Sequence, residues 1–534
     1  MSNQSIFKCL DFFILRTPIL STNVFENKLT SFNAPLLDEL WEFTQDPLIR
    51  EAIAVSSISL LDALTNLSPD SPSRKREQVA RAFLRYLIRM STRPTPFGLF
   101  SGVAYGEYGD YYKVALRSTE YHEKRTRPDM DWLFKIIAQM ENDPNLIKQL
   151  IVMANTMAYK VGNRTYLPYL TNLGQAKGKG NEMERTSVRT TSAVKQALNL
   201  SEKPMTYEEL VNKLNVEYPD TPREQINQFV YQLFKQELLI SNLRPPLIEA
   251  NPLNYLLQRI EDIKGIDKLK AQLQEISFMI DMYDRTLLGE GEELYRNIIK
   301  KMKKIAESKN YLQVDLKIQK DEVVLPISIK EEVEKAAEVL WKISDNEYGL
   351  SHFLEYRNDF IKKYGSSREV PLLELLDDEI GLGSPATYEY PPSKRSPKKN
   401  RTEFQQRKKY LLSQWLTMTL LKGEQEIVLD DEKIEELAGE EVDSRYAPRS
   451  FELFFSLVAD SNESVEAGDY TLISGATALS YGAGRSIGRF TDLMGSEFQD
   501  ELKNVGKSEQ EMCSDGILAE LVYLPIDGRA ANVV

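Results

Sequence analysis

Three arginines spaced four residues apart are the first feature of this sequence that could do chemistry. Arg81, Arg85 and Arg89 share one face of a predicted helix, and like charges at this spacing destabilise a helix by about 0.2 to 0.5 kcal/mol per pair. An anionic ligand would offset that repulsion, but a solvated helix face with acids nearby explains the same pattern. Spacing alone favours the solvated face.

The loop directly after this helix, STRPTPFGLFSGV, is stiffened by two prolines. Pro94 and Pro96 end the helix and hold Arg93 and Thr95 in a turn. A rigid loop that presents a guanidinium suits recognition of a phosphate or a carboxylate, because Arg binds either of them through two parallel hydrogen bonds. The loop therefore suggests an anion site, with surface ion pairs as the alternative.

Two further motifs carry carboxylates that could orient arginines or act as bases. Asp129 and Asp131 in RTRPDMDWL are two residues apart, with Arg127 beside them, and they share a face if the segment is extended. Asp315 is expected on the polar face of the strand YLQVDLKI, opposite an apolar face. An ordinary structural ion pair explains each carboxylate at least as well.

A glycine-rich run near the C-terminus, LISGATALSYGAGRSIGRF, contains Arg485 and Arg489. Its glycines Gly482, Gly484 and Gly488 do not match the dinucleotide-binding fingerprint, because the third glycine comes one residue late. A phosphate-binding nest is one interpretation of the run, and a surface turn is the more common one.

Composition excludes several other chemistries. The chain has two histidines, His122 and His352, and two cysteines, Cys9 and Cys513, near its opposite ends. A three-histidine metal site is therefore impossible, no zinc spacing occurs, and neither histidine has a positioned Ser or Asp that would identify a nucleophile system. We expect no metal and no bound cofactor. The net charge of −13 argues against indiscriminate binding of nucleic acid.

Several predicted elements must position these residues. FKCLDFFILRTPIL predicts a strand that ends at Pro18 and carries one cation, Arg16. Residues 73–90 predict a helix, because apolar residues recur along it at intervals of three and four. Residues 253–309 predict charged helices, followed by the strand that contains Asp315. Length and pattern together predict an α+β mixed fold of several subdomains.

Residues 190–245 predict two helices followed by a strand. Thr206 and Glu209 form a capping-box pattern, and Thr221 with Pro222 predicts a cap and a first-turn proline for the second helix. This order of elements is that of a winged helix-turn-helix. The second helix carries no net charge where a DNA-recognition helix should be basic. We therefore expect peptide recognition by strand addition, and no DNA partner.

The most cationic segment, residues 391–409, holds eight Lys or Arg against one Glu and begins with prolines, which predicts a basic loop. No apolar stretch approaches the ~20 residues of a membrane span, and the N-terminus is no secretory signal, so we expect a cytoplasmic protein. The chain stops within the apolar run ELVYLPIDGRAANVV, which suggests that the natural domain continues. The predicted subdomains are residues 1–149, 150–245, 246–390, the basic loop 391–409, and 410–534.

Seven motifs in this sequence resemble, in the same order, the N-terminal part of class I lantibiotic dehydratases. The motifs are FILRTPIL, STRPTPFGLFSGV, RPDMDWL, YLQVDLKI, FIKKYGSSREVPLLELLDDEIGLGSP, GAGRSIGRF and ELVYLPIDGRAANV. They extend from residue 13 to residue 533, so the resemblance covers essentially the whole chain.

This resemblance implies transfer of glutamate from glutamyl-tRNA, a co-substrate, to Ser or Thr hydroxyls of a ribosomally made precursor peptide. In that family a separate C-terminal domain then eliminates the glutamate. The family's glutamylation residues correspond to Arg16, Arg89, Arg93, Thr95, Asp129, Asp315 and Arg489. Of these we predict as catalytic Arg89, Arg93, Thr95, Asp129 and Asp315. Substrate or tRNA binding is predicted for Arg16, Arg85, Arg485 and Arg489.

The predicted roles follow from the chemistry of an activated ester. The enzyme must mainly position the hydroxyl, hold an anionic donor and stabilise the developing oxyanion. Arg89 and Arg93 are assigned to the tRNA 3′ phosphates or the transition-state charge, and Thr95 to hydrogen bonds with the reacting groups. Asp129 and Asp315 would orient the arginines or bind the glutamyl amine.

The resemblance also implies partners. They are a leader peptide bound by residues 150–245, an elimination domain that is separate or missing, and a cyclase; a homodimer and membrane association through a biosynthetic complex are compatible with it. The loop at 394–409 is a weaker candidate for contact with the tRNA backbone. Longer relatives continue past the segment matching ANVV, so we expect a truncated chain. The alternatives are an aminoacyl-tRNA-dependent peptide ligase and an inactive fragment that only binds leader peptide.

Overall fold

The computed structural model describes residues 6–26, 40–67, 72–167, 170, 186–246, 249–344, 351–388, 393–396, 403–438, 447–475, 479–513 and 516–517. The terminal run ELVYLPIDGRAANVV and residues 391–392 and 397–402 of the predicted basic loop lie outside these residues. The chain divides into two compact units. One consists of Met1–Asp11 and Pro326–Tyr481, and the other of Phe12–Leu325 and Gly482–Val534.

Helices and strands are mixed along the chain. The described helices are α1 (Asn23–Glu26), α2 (Trp41–Gln45), α3 (Pro47–Ser56), α4 (Ile58–Thr65), α5 (Ser73–Thr92), α6 (Met130–Glu141), α7 (Ser192–Leu200), α8 (Tyr207–Glu217), α9 (Arg223–Lys235), α10 (Pro252–Arg259), α11 (Asp267–Asp284), α12 (Glu292–Ile305), α13 (Ile327–Lys342), α14 (Ser351–Tyr364), α15 (Leu372–Leu375), α16 (Glu403–Lys422), α17 (Asp431–Ala438), α18 (Asn462–Glu466), α19 (Thr491–Met494) and α20 (Ser496–Glu511).

The structure also contains strands, so the predicted mixture of helices and strands is confirmed. They are β1 (Phe12–Pro18), β2 (Ser101–Gly109), β3 (Lys113–Leu116), β4 (Glu123–Pro128), β5 (Ile151–Ala154), β6 (Tyr159–Val161), β7 (Arg164–Leu167), β8 (Thr186–Arg189), β9 (Met205–Thr206), β10 (Leu239–Ser241), β11 (Leu312–Lys317), β12 (Lys320–Pro326), β13 (Phe451–Leu453), β14 (Ser456–Val458), β15 (Thr471–Ile473) and β16 (Leu479–Tyr481).

A six-stranded sheet positions most of the predicted site residues. Its order is β3-β12-β2-β11-β4, and β1 also pairs with β2. Arg16 lies opposite Val103, Val103 is level with Lys317, and Asp315 lies opposite Arg125. Paired residues point to the same face, and residues two apart on a strand do so as well. Arg16, Asp315 and Arg125 therefore share one face of the sheet.

The C-terminal segment of the second unit covers this face. Val103 packs there in a buried cluster with Ile487, Phe490, Met494, Phe498 and Leu502. The opposite face, which includes Ala104 and Leu316, belongs to the large hydrophobic core. Asp315 is thus on the polar side of its strand, as predicted, but it is buried under the C-terminal segment.

The predicted strand with Arg16 and the predicted arginine-bearing helix are both confirmed. β1 ends at Pro18, and α5 extends from Ser73 to Thr92. The apolar stripe of α5 buries Phe83, Leu87 and Met90, because these residues return to one face of the helix.

Residues 186–245 contain the predicted order of helix, helix and strand in α8, α9 and β10. The capping box of Thr206 and Glu209 is confirmed, since both of its hydrogen bonds are formed. The cap predicted at Thr221 is wrong. Pro222 itself occupies the N-cap position, with an extended ψ of 135°, and its carbonyl accepts hydrogen bonds from the backbone of the first turn.

The predicted basic loop differs from the structure where it can be compared. Residues 403–409 form the first turns of α16. Lys394 forms an ion pair with Asp378 at 2.8 Å, and Arg395 forms one with Asp359 at 2.6 Å. These two cations are therefore already neutralised, which weakens the case for tRNA contact at this segment.

The C-terminal part of the described chain contains a helix that the sequence analysis did not predict. Residues 496–511 form α20, whose Phe498, Leu502 and Val505 recur at helical spacing and are buried. The predicted boundaries at 149, 245, 390 and 409 fall within the compact units and stay predictions. Among the described helices, none is long and apolar enough to cross a membrane.

A half-buried acid at the end of α11, packed against the core face of β4, is expected to make stability depend on pH. Asp284 Oδ2 accepts a hydrogen bond from the Thr126 N–H at 2.9 Å, whereas Oδ1 is buried and has no hydrogen-bond partner in the described part of the chain. Burial raises the pKa of Asp284 to about 6, against the opposing effects of Thr126 and Lys124.

We expect the free energy of unfolding to fall by about 2 kcal/mol as the pH rises from about 4 to about 6. In this range the folded chain retains the Asp284 proton and the unfolded chain releases it, so the stabilisation present below pH 4 is lost. Asp284→Asn retains an acceptor for Thr126 and should remove this part of the slope. Urea unfolding of both proteins at pH 4, 5, 6 and 7 measures the difference, and parallel profiles would contradict the assignment.

Candidate functional site

Asp315 is the centre of a cluster of guanidinium groups. Only 2% of this residue is exposed. Its Oδ1 accepts a hydrogen bond from Arg489 Nη2 at 2.9 Å, and its Oδ2 accepts one from Arg125 Nη2 at 2.7 Å. Arg127 Nη2 lies 3.8 Å from the same Oδ2. One buried carboxylate therefore faces three guanidinium groups.

Arg125 links the sheet to the segment that covers it. Besides Asp315 on β11, it donates hydrogen bonds to the Asp492 carboxylate and, at 2.9 Å, to the Arg489 carbonyl. Because one side chain contacts β11 and both ends of the segment 489–492, Arg125 holds this segment against the face that contains Asp315. Sequence analysis had assigned no role to Arg125 or Asp492.

The described members of the cluster are three arginines and two aspartates. Burial disfavours the charge of Arg125, but Asp315 and Asp492 outweigh this effect and raise its pKa. Burial and then the adjacent Arg125 lower the pKa of Arg127 to about 10, which still leaves the guanidinium charged at neutral pH. Among the described residues, three arginines thus surround two aspartates, and this arrangement can accept an anion.

Arg16 contacts the same C-terminal segment. Its guanidinium donates hydrogen bonds to the hydroxyl of Ser486 and, at 3.4 Å, to the carbonyl of that residue. Ser486 belongs to the turn that begins at Gly482, where Gly482 and Gly484 adopt φ values of +87° and +83° that favour glycine. The structure therefore brings Arg16, Asp315 and Arg489 together. Arg485, in the same turn, is exposed.

The Arg-Pro loop presents its predicted residues to solvent. Arg93 and Thr95 are exposed, and so is Arg85 on α5. The guanidinium of Arg89 lies 4.3 Å from the centre of the Phe97 ring, which is a cation–π contact. Stacking on Phe97 fixes Arg89 at the base of the loop.

The loop lies at the same end of the sheet as Asp315. Lys317 is level with Val103, so Asp315, two residues earlier on a parallel strand, is level with Ser101. The Ser101 hydroxyl donates a hydrogen bond to the Pro94 carbonyl at 3.2 Å. This contact holds the loop beside Ser101, which is level with Asp315 in the sheet.

Asp129 has a structural role at the start of a helix. It is the N-cap of α6, where its Oδ1 accepts a hydrogen bond from the Asp131 N–H at 3.0 Å. Asp129 follows Arg125 by four residues, so at ~3.3 Å per residue it lies about 13 Å further along the extended chain. Asp131 pairs with Lys135 at 2.9 Å. A catalytic role for Asp129 stays a prediction.

The two histidines lie outside this cluster. His122 Nδ1 accepts a hydrogen bond from the Gln319 N–H at 3.2 Å, and burial lowers its pKa. His352 lies 3.3 Å from the Thr387 hydroxyl. Neither contact pairs a histidine with a carboxylate. Within the described ranges, His, Cys, Asp and Glu side chains form no group of three or more that could hold a metal ion.

Comparison with known proteins identifies the family. The family model for the N terminus of lantibiotic dehydratases matches residues 45–534. The subtilin biosynthesis protein SpaB of Bacillus subtilis is 30% identical over 99% of this chain and 50% of its own length. The nisin biosynthesis protein NisB of Lactococcus lactis subsp. lactis is 26% identical over 92% of this chain and 48% of its own length. The chain thus spans about half the length of these curated relatives.

Solved structures agree with the sequence relatives. The tRNA-dependent lantibiotic dehydratase MibB of Microbispora sp. 107891 superposes with a TM-score of 0.80 and 31% identity over 94% of this chain and 47% of that chain. The glutamylation domain TbtB from thiomuracin biosynthesis gives a TM-score of 0.55 at 14% identity, over 86% of this chain and 56% of that chain, and shows similarity of fold alone. The resemblance inferred from the seven motifs is confirmed: the chain belongs to the lantibiotic dehydratase family and corresponds to its N-terminal region.

Proposed function

We propose that this chain transfers glutamate from glutamyl-tRNA to Ser and Thr hydroxyls of a precursor peptide, the first step of dehydration in lantibiotic-type biosynthesis. The observation that carries the proposal is the buried guanidinium cluster around Asp315, with the exposed Arg-Pro loop at the same end of the sheet. MibB is a tRNA-dependent dehydratase and TbtB a glutamylation domain, which has also been solved with 5′-phosphodesmethylglutamycin bound. These likenesses support the same chemistry here.

The proposed reaction exchanges one ester for another. The Ser or Thr Oγ bonds to the carbonyl carbon of the glutamyl group, the bond from that carbon to the tRNA ribose oxygen breaks, and the hydroxyl proton ends on that ribose oxygen. Because the donor is already activated, positioning and stabilisation of the oxyanion supply most of the catalysis. Guanidinium groups suit this task, since they donate strong, charge-assisted hydrogen bonds.

The contacts divide the predicted residues by role. Both oxygens of Asp315 accept hydrogen bonds from arginines, so we assign Asp315 to orienting Arg125 and Arg489 rather than to acting as a base. Arg93 and Thr95, which are exposed, are assigned to the tRNA end and the reacting groups. Each of these roles is part of the proposal.

We further propose that residues 150–245 form a winged helix-turn-helix that binds the leader peptide. α8, α9 and β10 have the required order. The sheet β6-β7-β8 has β6 and β8 at its edges, and an edge strand can pair with an extended peptide through its backbone.

Glutamyl adducts should form when the cognate precursor peptide is incubated with this chain, tRNA, glutamyl-tRNA synthetase, Glu and ATP. Arg93→Ala should lower the rate by about a hundredfold or more, because it removes a donor to the developing charge. Mass spectrometry of the peptide measures both. Since Arg93 is exposed, its loss should not affect folding.

Arg117→Ala is the matched control. Arg117 is also exposed, and its side chain pairs with Asp321 on the surface, so its loss should leave the rate unchanged. An unmodified peptide that still binds the chain would reduce the protein to a leader-binding fragment. A new amide on a peptide amine would instead indicate a peptide ligase.

A further inference from the structure

We propose that Arg127 binds the side-chain carboxylate of the glutamyl group and so determines the preference for glutamate over glutamine as the transferred residue. This inference rests on the proposed function. It concerns a residue that motif comparison had left without a role.

Arg127 is the one member of the cluster around Asp315 whose charge is not matched at close range in the described part of the chain. Arg125 and Arg489 donate hydrogen bonds to Asp315 at 2.7 and 2.9 Å. Arg127 Nη2 is 3.8 Å from the nearest Asp315 oxygen, and this nitrogen is buried with no hydrogen-bond partner in the described residues. Its donor capacity is therefore available to a ligand.

Such an arrangement is costly without a ligand. The Arg127 side chain is only 8% exposed, and a buried charge normally has a counterion and satisfied hydrogen bonds. The neighbouring Arg125 adds repulsion, which is one cause of the lowered pKa of Arg127. One bound anion would remove both penalties.

The depth of Arg127 favours a carboxylate over a tRNA phosphate. A backbone phosphodiester is substituted on two sides and follows a surface groove, whereas a glutamyl carboxylate is the free end of a short chain. Arg489 and Asp492 are 17% and 38% exposed and mark the solvent side of the cluster. A side chain entering past them could reach Arg127 while the ester stays near the Arg-Pro loop, and a guanidinium binds a carboxylate through two hydrogen bonds.

The test uses adenosine analogues whose aminoacyl group is attached through a stable 3′ amide. Isothermal titration of this chain with the glutamyl analogue, the glutaminyl analogue and 5′-AMP should show a preference for glutamyl of about tenfold to a hundredfold, as expected for a charged hydrogen bond. Arg127→Gln should remove this preference by weakening the glutamyl analogue alone. Arg127→Lys, which retains the charge, should restore part of it.

Each other outcome overturns the inference. Equal weakening of both analogues with a lower melting temperature would assign Arg127 a structural role, and weakening of 5′-AMP to the same degree would assign it to phosphate. If Arg127→Gln kept the preference for the glutamyl analogue, Arg127 would not be the residue that selects glutamate. The proposed function would still hold if the parent chain glutamylated the peptide. If the parent chain bound neither analogue and left the peptide unmodified, the proposed function would be rejected as well.

Discussion

Replacing Asp315 with asparagine is expected to abolish glutamyl transfer and to lower the free energy of unfolding by about 3–5 kcal/mol. Asp315 is the shared counterion of Arg125 and Arg489, and it is 2% exposed. Asparagine has nearly the same shape but no charge, and its amide nitrogen would face a guanidinium donor. Three largely buried cations would then repel one another, and the covering segment that Arg125 and Arg489 hold in place would loosen.

Urea unfolding and glutamylation per folded molecule measure the two effects separately. The matched control is Asp492→Asn, because Asp492 pairs with the same Arg125 but its side chain is 38% exposed. Loss of a half-exposed pair should cost no more than about 1 kcal/mol. Full activity per folded molecule in Asp315→Asn would show that the cluster holds the fold together without serving the reaction.

Local sequence pattern was sufficient to predict the elements that carry the site. The aromatic and branched residues of FKCLDFFILRTPIL placed Arg16 on a strand, and the spacing of Phe83, Leu87 and Met90 placed Arg89 near the end of a helix. YLQVDLKI likewise placed Asp315 opposite an apolar face. These predictions succeeded because periodicity is a property of neighbouring residues.

The partners of Asp315 could not be predicted in the same way. Arg125 is 190 residues from Asp315 and 367 residues from Asp492 along the chain, so only the register of β4 with β11 and the path of the C-terminal segment bring them together. One local signal was present: EKRTRP places Arg125 and Arg127 two residues apart, and thus on one face of a strand. The sequence alone did not give the order of the strands, so it could not show that this face lies next to Asp315.

Successive side chains of β4 point to opposite faces of the sheet, one of which carries the proposed site and the other the core. Arg125 and Arg127 point to the cluster around Asp315. Lys124 directly precedes Arg125 on the same strand. It points to the opposite face of the sheet and pairs there with Glu51. Substitutions on the two faces of one strand should therefore have different consequences, which gives a way to separate loss of activity from loss of folding.

Glu51→Gln should test this separation with a loss of about 3–5 kcal/mol in the free energy of unfolding. The side chains of Glu51 and Lys124 are 0% exposed, and Lys124 Nζ donates to Glu51 Oε1 at 2.8 Å. Glu51 Oε2 accepts hydrogen bonds from the N–H groups of Gly289 and Gly291 at 2.6 and 3.1 Å. Glutamine would leave a buried ammonium without its paired carboxylate, and burial already lowers the pKa of Lys124.

The double variant Glu51→Gln, Lys124→Met is the control for this prediction. Removing both charges leaves no unpaired ion in the core, so the double variant should be more stable than Glu51→Gln alone. Urea unfolding of the parent, both single variants and the double variant gives the coupling energy. Glutamylation per folded molecule should stay near the parent rate in all of them, because the pair lies on the core face. A double variant no more stable than Glu51→Gln would mean that the two glycine N–H contacts, and not the ion pair, account for the role of Glu51.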